Sequence, residues 1–284
     1  MRLAGAVSAG SGTCNEDAAG VVVEDGAVVA AWVFDGVTGI NNDHILPAAT
    51  DARWLVERAD THLHELAATH QPLPDLLAEL VARLEKDWAE ATARVTVPSA
   101  YDPPAACLLL AKRYADGWHV LRLGDSILLT QDTGVRVIPP PQSDLGGLEA
   151  FLRDEARRRR AQGQSDFKAL LREFHPRLMA SRRSRNTAAN HSILVADKSA
   201  LNCPEYIALG WPASLLLCTD GFYRAVDTYG FASDAALVAR AREAEGVSAI
   251  LRQIRAVEAD DPACETYLRF KPADDASAVM LVNA

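Results

Sequence analysis

The apolar positions in the first 35 residues form the short runs that are typical of β-strands. One run covers residues 3–8, and two more cover residues 19–23 and 27–34. The last two runs flank Glu24-Asp25-Gly26, and an Asp-Gly step between two Val-rich runs is a strong hairpin signal. We therefore predict three strands here, the second and third joined by a tight turn.

After residue 43 the apolar positions take on the spacing of helices. They recur every three or four residues from Ile45 to Leu66, which predicts a helix from Asp43 to about Thr69. A second helix is predicted from Pro74 to Arg94, where proline suits the first helical turn.

A second β-rich block follows, and shorter elements complete the chain. The predicted strands cover residues 105–114, 118–123, 127–130, 135–138, 192–196, 214–219 and 276–282. The predicted later helices cover residues 233–245 and 248–258, with Gly246 as the break between them. There is no regular βαβ alternation and no internal repeat. We predict an α+β fold with antiparallel sheets covered by helices, and a single domain over residues 1–284.

Residues 144–185 are helical in pattern and unusually rich in arginine. Charge runs usually face water, so a solvated helix pair is the simpler interpretation. The alternative is a flap whose Arg-rich end, residues 181–186, overhangs the active site and binds an anionic substrate. Its candidate substrate-binding residues are Arg182, Arg183 and Arg185.

Composition and charge narrow the class of protein. The 284 residues are 49% apolar and 24% charged, with a net charge of −9, which argues against a nucleic-acid binder. No apolar run reaches the roughly 18 residues of a membrane span, and the first residues do not resemble a signal peptide. The five scattered cysteines are odd in number and lack CxxC spacing. We expect a cytoplasmic protein that contacts neither membrane nor nucleic acid.

Short acidic clusters at the ends of predicted strands are the best indication of function. They are Asn15-Glu16-Asp17, Phe34-Asp35-Gly36, Thr219-Asp220-Gly221 and Asp274-Asp275. A carboxylate at the edge of a buried strand is costly unless its desolvation is offset. Where strand ends converge, several carboxylates need a cation between them, and oxygen ligands favour Mg²⁺, Mn²⁺ or Ca²⁺.

Together with Gly124-Asp125-Ser126, these clusters form an ordered series. It reads Asn-Glu-Asp-Ala at 15–18, Val-Phe-Asp-Gly at 33–36, Leu-Gly-Asp-Ser at 123–126, Cys-Thr-Asp-Gly-Phe at 218–222 and Asp-Asp-Ala-Ser at 274–277. The series resembles the metal-dependent protein phosphatases of type 2C over nearly the whole chain. The resemblance implies a four-layer α-β-β-α sandwich, with two central antiparallel sheets flanked by helix pairs.

The resemblance also implies a centre of two Mg²⁺ or Mn²⁺ ions, with a third ion in some members. Asp35 would bridge both ions and the carbonyl of Gly36 would hold one, while Asp220 and Asp274 would hold the other. Glu16 and Asp17 would bind a metal directly or through water, and Asp125 would help to hold the third ion. Asp275 stands where the family often has Asn, and would support the ligands. Asp35, Asp220 and Asp274 are therefore the expected catalytic residues.

The implied reaction is the hydrolysis of phosphoserine or phosphothreonine in proteins by a hydroxide that bridges the metals. Two cations lower the pKa of a shared water and neutralise charge on the phosphoryl oxygens. No Cys or Ser nucleophile is needed. Without metal, the carboxylates raise one another's pKa, so we expect this end of the metal-free protein to be loosely organised.

Two positions depart from the family pattern. Gly12 stands where the family often has an Arg that grips the phosphate, and Val37 stands where it often has a His that is proposed to protonate the leaving group. Replacements for the grip are the three arginines named above, with Asn186 and Asn190 nearby. His44 and His191 are the candidate acids, although an ordinary surface histidine is the simpler interpretation of each.

These patterns favour a monomeric serine/threonine protein phosphatase that acts on phosphoproteins. The missing Arg and His motivate an alternative, a pseudophosphatase or regulatory binding module with the same fold. A hydrolase of small phosphoesters is a third hypothesis.

Overall fold

The computed structural model describes residues 1–39, 44–140, 144–163, 167–187, 192–269 and 271–283. Within these ranges, ten strands form two antiparallel sheets of five strands each. In chain order the strands are β1 Arg2–Ala9, β2 Ala18–Glu24, β3 Ala27–Gly36, β4 Ala106–Tyr114, β5 Gly117–Leu123, β6 Ile127–Gln131, β7 Val135–Ile138, β8 Glu205–Gly210, β9 Ser214–Cys218 and β10 Ala276–Val282. One sheet has the order β1-β10-β9-β6-β7 and the other the order β2-β3-β4-β5-β8.

Seven helices occupy the same described ranges. They are α1 Asp51–Leu66, α2 Leu73–Thr92, α3 Asp144–Ala161, α4 Phe167–Arg183, α5 Asp220–Asp227, α6 Asp234–Ala241 and α7 Gly246–Asp260. The α1–α2 pair packs on the sheet that contains β3, and α5, α6 and α7 pack on the sheet that contains β10. This arrangement confirms the predicted α+β sandwich of four layers.

The two sheets pack face to face through a buried apolar layer, the inter-sheet layer, whose members include Val33, Leu109, Leu217 and Val279. Successive side chains of a strand point to opposite faces. In β3, Val33 therefore enters this layer while Trp32 and Phe34 pack on the other side, beneath α1 and α2. Burial on both faces explains why β3 and β10 are continuous apolar runs in the sequence.

Helix α1 begins at Asp51, which corrects the prediction of a start at Asp43, a residue outside the described ranges. The hydroxyl of Thr50 caps the helix by accepting from the N–H of Arg53 at 3.1 Å. The Asp51 carboxylate accepts from the N–H groups of Ile45 and Leu46 at 3.0 and 2.9 Å. The segment with apolar helical spacing therefore folds back over the helix end instead of extending it.

Three other elements differ from the sequence-based expectation. Residues 192–196 form no ladder: Leu194 makes an isolated bridge with Ala106, and the segment is buried as core packing. Strand β8 escapes prediction because it is a partly exposed edge strand with few apolar residues. Helix α5 escapes prediction because it begins at Asp220 itself, directly after β9.

The α3–α4 pair has a small core of its own, formed by Leu152, Ala156 and Leu170. Arg160 of α3 donates to the carbonyl of Cys264 at 2.8 Å, and Arg182 of α4 donates to the carbonyl of Thr38 at 2.9 Å. The pair is therefore attached both to the segment after α7 and to the loop after β3. Within the described residues, no helix has the combination of length and apolar character that crossing a membrane demands.

Candidate metal centre

The acidic motifs meet at one end of the sandwich because of the strand registers. The start of β2 pairs with the end of β3 through Ala18 and Phe34, which brings the segment of Glu16 and Asp17 beside Asp35. The start of β10 pairs with the end of β9 through Ala278 and Cys218. Asp274, just before β10, is thereby placed beside Asp220, and Asp125 lies in the turn between β5 and β6.

The electrostatics show how closely these carboxylates are grouped. Removal from water raises the pKa of Asp35 well above its usual range, and Asp220, Asp17, Asp125 and Asp274 raise it further. Burial also raises the pKa of Asp17, which is 1% exposed. Five like-charged groups therefore share one small region, and each opposes the ionisation of its neighbours.

Two glycines let the motif segments approach one another at backbone distance. A Cβ atom on Gly36 would lie 2.4 Å from the carbonyl oxygen of Glu16, and one on Gly221 would lie 1.9 Å from the carbonyl oxygen of Asp275. Neither position has room for a side chain. The glycines that follow Asp35 and Asp220 are thus required by the convergence of the motifs.

Thr219 orients the Asp17 side chain, a role that the sequence did not reveal. Its hydroxyl donates to Oδ2 of Asp17 at 2.9 Å and accepts from the N–H of Ser277 at 2.9 Å. Thr219 is fully buried, so these contacts are shielded from water. This one side chain connects the motifs before β2, after β9 and at the start of β10.

Asp275 holds the loop between β1 and β2. Oδ1 accepts from the N–H and the hydroxyl of Ser11 at 2.7 and 2.9 Å, and Oδ2 accepts from the N–H of Glu16 at 2.6 Å. Glu16 in turn accepts from the hydroxyl of Thr38 at 2.9 Å. All three groups bonded to Asp275 are donors, which suits a carboxylate because both of its oxygens accept.

Asp274 is paired with two side-chain cations that the sequence did not predict. Arg224 of α5 and Lys271 both form ion pairs with its carboxylate. Burial and the nearby Asp220 raise the pKa of Asp274, while Arg224 and Lys271 oppose that shift. The negative charge of the region is thus partly neutralised from within the protein, on the Asp274 side.

The donor set fits a hard divalent cation. It consists of carboxylates and a backbone carbonyl beside Gly36, and oxygen ligands are those that Mg²⁺ and Mn²⁺ prefer. The raised pKa of Asp35 and Asp17 indicates that the protein's own cations leave negative charge uncompensated. Across the part of the chain that the structure describes, no three His, Cys, Asp or Glu side chains already form a metal-ion site, so binding would require small side-chain movements.

The proposed phosphate-binding arginines are engaged elsewhere. Arg182 and Arg185 both pair with Asp102, at 3.0 and 3.3 Å, and Arg185 also donates to the carbonyl of Pro103 at 3.0 Å. Arg183 is exposed at the end of α4. Asn186 is buried and accepts from the N–H of Ile193 at 2.7 Å.

The candidate histidines add no acid to the centre in this structure. His44 is exposed in the segment before α1. His191, like Asn190, lies outside the described residues. A thiol does lie beside the centre: Cys107 donates to Asp125 at 3.2 Å, and burial followed by the Asp125 charge raises the pKa of the Cys107 thiol.

The family model for protein phosphatase 2C matches residues 4–254 of the chain. The Mycobacterium tuberculosis serine/threonine phosphatase PstP/Ppp is 13% identical, with 99% of this chain and 98% of that chain covered and a TM-score of 0.59. Stp1 from Staphylococcus aureus is 13% identical, with 100% and 98% covered and a TM-score of 0.55. A PstP catalytic domain in complex with two manganese ions is 17% identical, with 97% and 95% covered and a TM-score of 0.53. No curated protein matches the sequence.

Proposed function

The chain belongs to the protein phosphatase 2C family, and on that basis we propose that it is a metal-dependent serine/threonine protein phosphatase. The observation that carries the proposal is the meeting of five acidic motifs at one end of the sandwich, where the pKa values of Asp17 and Asp35 are raised. Phosphoproteins are the proposed substrates, and a monomeric, cytoplasmic enzyme of one domain over residues 1–284 is the proposed form.

We assign the ligands of two Mg²⁺ or Mn²⁺ ions as follows. Asp35 would contact both ions and the Gly36 carbonyl would hold one, while Asp220 and Asp274 would hold the other. Glu16 and Asp17 would bind directly or through water, and Asp125 would serve a third ion. Bound there, the ions would lower the pKa of a water and neutralise charge on the phosphoryl oxygens.

The remaining residues would position these ligands and the substrate. Thr219 keeps Asp17 oriented, and Asp275 holds the loop that carries Glu16. The α3–α4 pair would act as the flap, since Arg182 already contacts the loop after β3 through Thr38. To bind a phosphate, Arg182 or Arg185 would exchange Asp102 for the substrate, whereas the exposed Arg183 needs no such exchange.

Turnover of phosphoserine and phosphothreonine peptides in Mn²⁺ or Mg²⁺ tests the proposal. We expect hydrolysis that chelation abolishes and that Asp35→Asn lowers by more than about 100-fold, since even supporting residues of metal sites contribute 10- to 100-fold. Asp116→Asn is the matched control, because Asp116 is 74% exposed in the β4–β5 turn. Zero turnover by the native protein, or turnover that Asp35→Asn leaves unchanged, would contradict the proposal.

A pseudophosphatase or regulatory binding module is the second candidate. Gly12 and Val37 leave the usual phosphate grip and acid unfilled, and Asp274 is ion-paired with Arg224 and Lys271. Calorimetric binding of a phosphopeptide without its hydrolysis would favour this candidate. Hydrolysis of small phosphoesters but not phosphopeptides would instead favour the third hypothesis.

A further inference from the structure

The two cations on Asp274 differ in their freedom to move. The Arg224 side chain is 12% exposed and extends from α5, where it packs within the protein. The Lys271 side chain is 47% exposed and extends from the segment before β10. Lysine has a flexible four-carbon stem, so its ammonium can leave Asp274 for solvent without a change in the backbone.

Asp274 itself is held in place by its backbone. Arg255 donates to the Asp274 carbonyl at 2.6 Å and pairs with Glu258, while the N–H of Asp274 donates to Glu258 at 3.4 Å. Glu258 is 4% exposed. The movable partner in the Lys271–Asp274 pair is therefore the lysine.

The Lys271 ammonium faces more than one proposed metal ligand. Burial tends to lower its pKa, but Asp274 raises it, Asp220 and Asp35 add to that effect, and the pKa lies above the usual range. A positive charge thus sits where three proposed metal-binding carboxylates converge. These are the same negative charges that a divalent cation would neutralise.

We propose that the Lys271 ammonium is an internal cation of the metal-free centre, and that a divalent ion binds on the Asp274 side by displacing it. The inference rests on the proposed metal centre. The lysine would hold the carboxylates together without metal and would lower the affinity for metal, since each binding event must first break the ion pair. A part-exposed ion pair contributes modestly, so the competition should weaken metal binding by about fivefold.

The test is Mn²⁺ binding by the full chain after removal of metal with a chelator, measured by titration calorimetry without substrate. We expect Lys271→Met to bind the Asp274-side ion about fivefold more tightly than the native protein, and Lys271→Arg to bind like the native protein. Lys86→Met is the control for loss of one positive charge, because Lys86 is 77% exposed in α2 and pairs only loosely with Glu90 at 3.9 Å. It should not change the affinity.

Melting temperatures supply a second readout that is independent of activity. Without metal, Lys271→Met should melt below the native protein because it loses a counter-charge; with saturating Mn²⁺, the difference should vanish or reverse. Lys271→Gln provides a second neutral variant should Lys271→Met not fold.

The outcomes separate this inference from the proposed function. Equal Mn²⁺ affinity of native protein and Lys271→Met, with binding lost in Asp35→Asn, overturns the role of Lys271 and leaves the metal centre standing. Absence of Mn²⁺ binding in every variant overturns both. Unchanged Mn²⁺ affinity with weaker binding of inorganic phosphate also overturns the inference, because Lys271 would then be a substrate ligand.

Discussion

Asp275→Asn tests how the loop between β1 and β2 is held. The carboxylate accepts three hydrogen bonds, from the N–H and hydroxyl of Ser11 and from the N–H of Glu16, at 2.6 to 2.9 Å. An Asn side chain has a single oxygen, and its amide nitrogen only donates. In the variant that nitrogen must face one of the N–H donors, so either the Ser11 or the Glu16 contact is lost.

The expected loss follows from these contacts. A donor left without a partner costs about 1–3 kcal/mol, and bonds to a charged acceptor lie toward the upper end. Removal of one negative charge offsets part of that loss, because Asp275 is among the groups that raise the pKa of Asp17. We expect the free energy of unfolding of the metal-free protein to fall by about 1–2 kcal/mol.

Urea denaturation at fixed pH measures the change, and hydrogen exchange of the Ser11 and Glu16 amides localises it. The control is Asp116→Asn, which alters an exposed carboxylate with one contact, to His119 at 3.0 Å. The reasoning is refuted if the two variants agree within about 0.5 kcal/mol and both amides remain as protected as in the native protein.

Two further measurements test the geometry and the charge of the centre. Gly221→Ala should lower the free energy of unfolding by about 2–3 kcal/mol, because its Cβ would lie 1.9 Å from the Asp275 carbonyl, whereas Gly12→Ala meets nothing within 4 Å and should be nearly neutral by urea denaturation; equal effects would contradict this. The raised pKa values of Asp17 and Asp35 mean that the metal-free native state binds more protons than the unfolded chain, so stability should fall as pH rises from about 4 through those values. Denaturation over that range should show a smaller fall in Asp35→Asn, and an identical slope in both proteins would count against it.

The sequence predicts the elements whose burial is uniform and misses those that depend on tertiary contacts. The run at 276–282 is buried along its whole length and forms β10 over that range. The predicted start of α1 is wrong because Ile45 and Ala49 keep helical spacing, while Asp51 binds the preceding backbone. The prediction for residues 192–196 is wrong for a similar reason, since they are buried without strand partners beyond one bridge.

At the centre, motif order located the carboxylates, and the registers of β2, β3, β9 and β10 explain why they meet. The cations beside them are beyond the reach of motif order. Arg224 lies four residues after Asp220, a spacing that places two side chains on one helix face, but the sequence does not predict α5 itself. Lys271 is near Asp274 in the chain, yet its direction depends on the fold of the segment before β10.

The position of β10 between β1 and β9 limits where the chain can tolerate insertions and deletions. At its start, Ala276 lies opposite Ala9 and Ala278 lies opposite Cys218, so both neighbours fix its register. Because side chains alternate between the two faces of a strand, one residue inserted within β10 would exchange the inner and outer faces of every position beyond it. One residue inserted just before β10 would spare the ladder but move Asp274 away from Asp220. Changes in chain length that preserve both the core and the centre are therefore confined to loops away from this end of the strand.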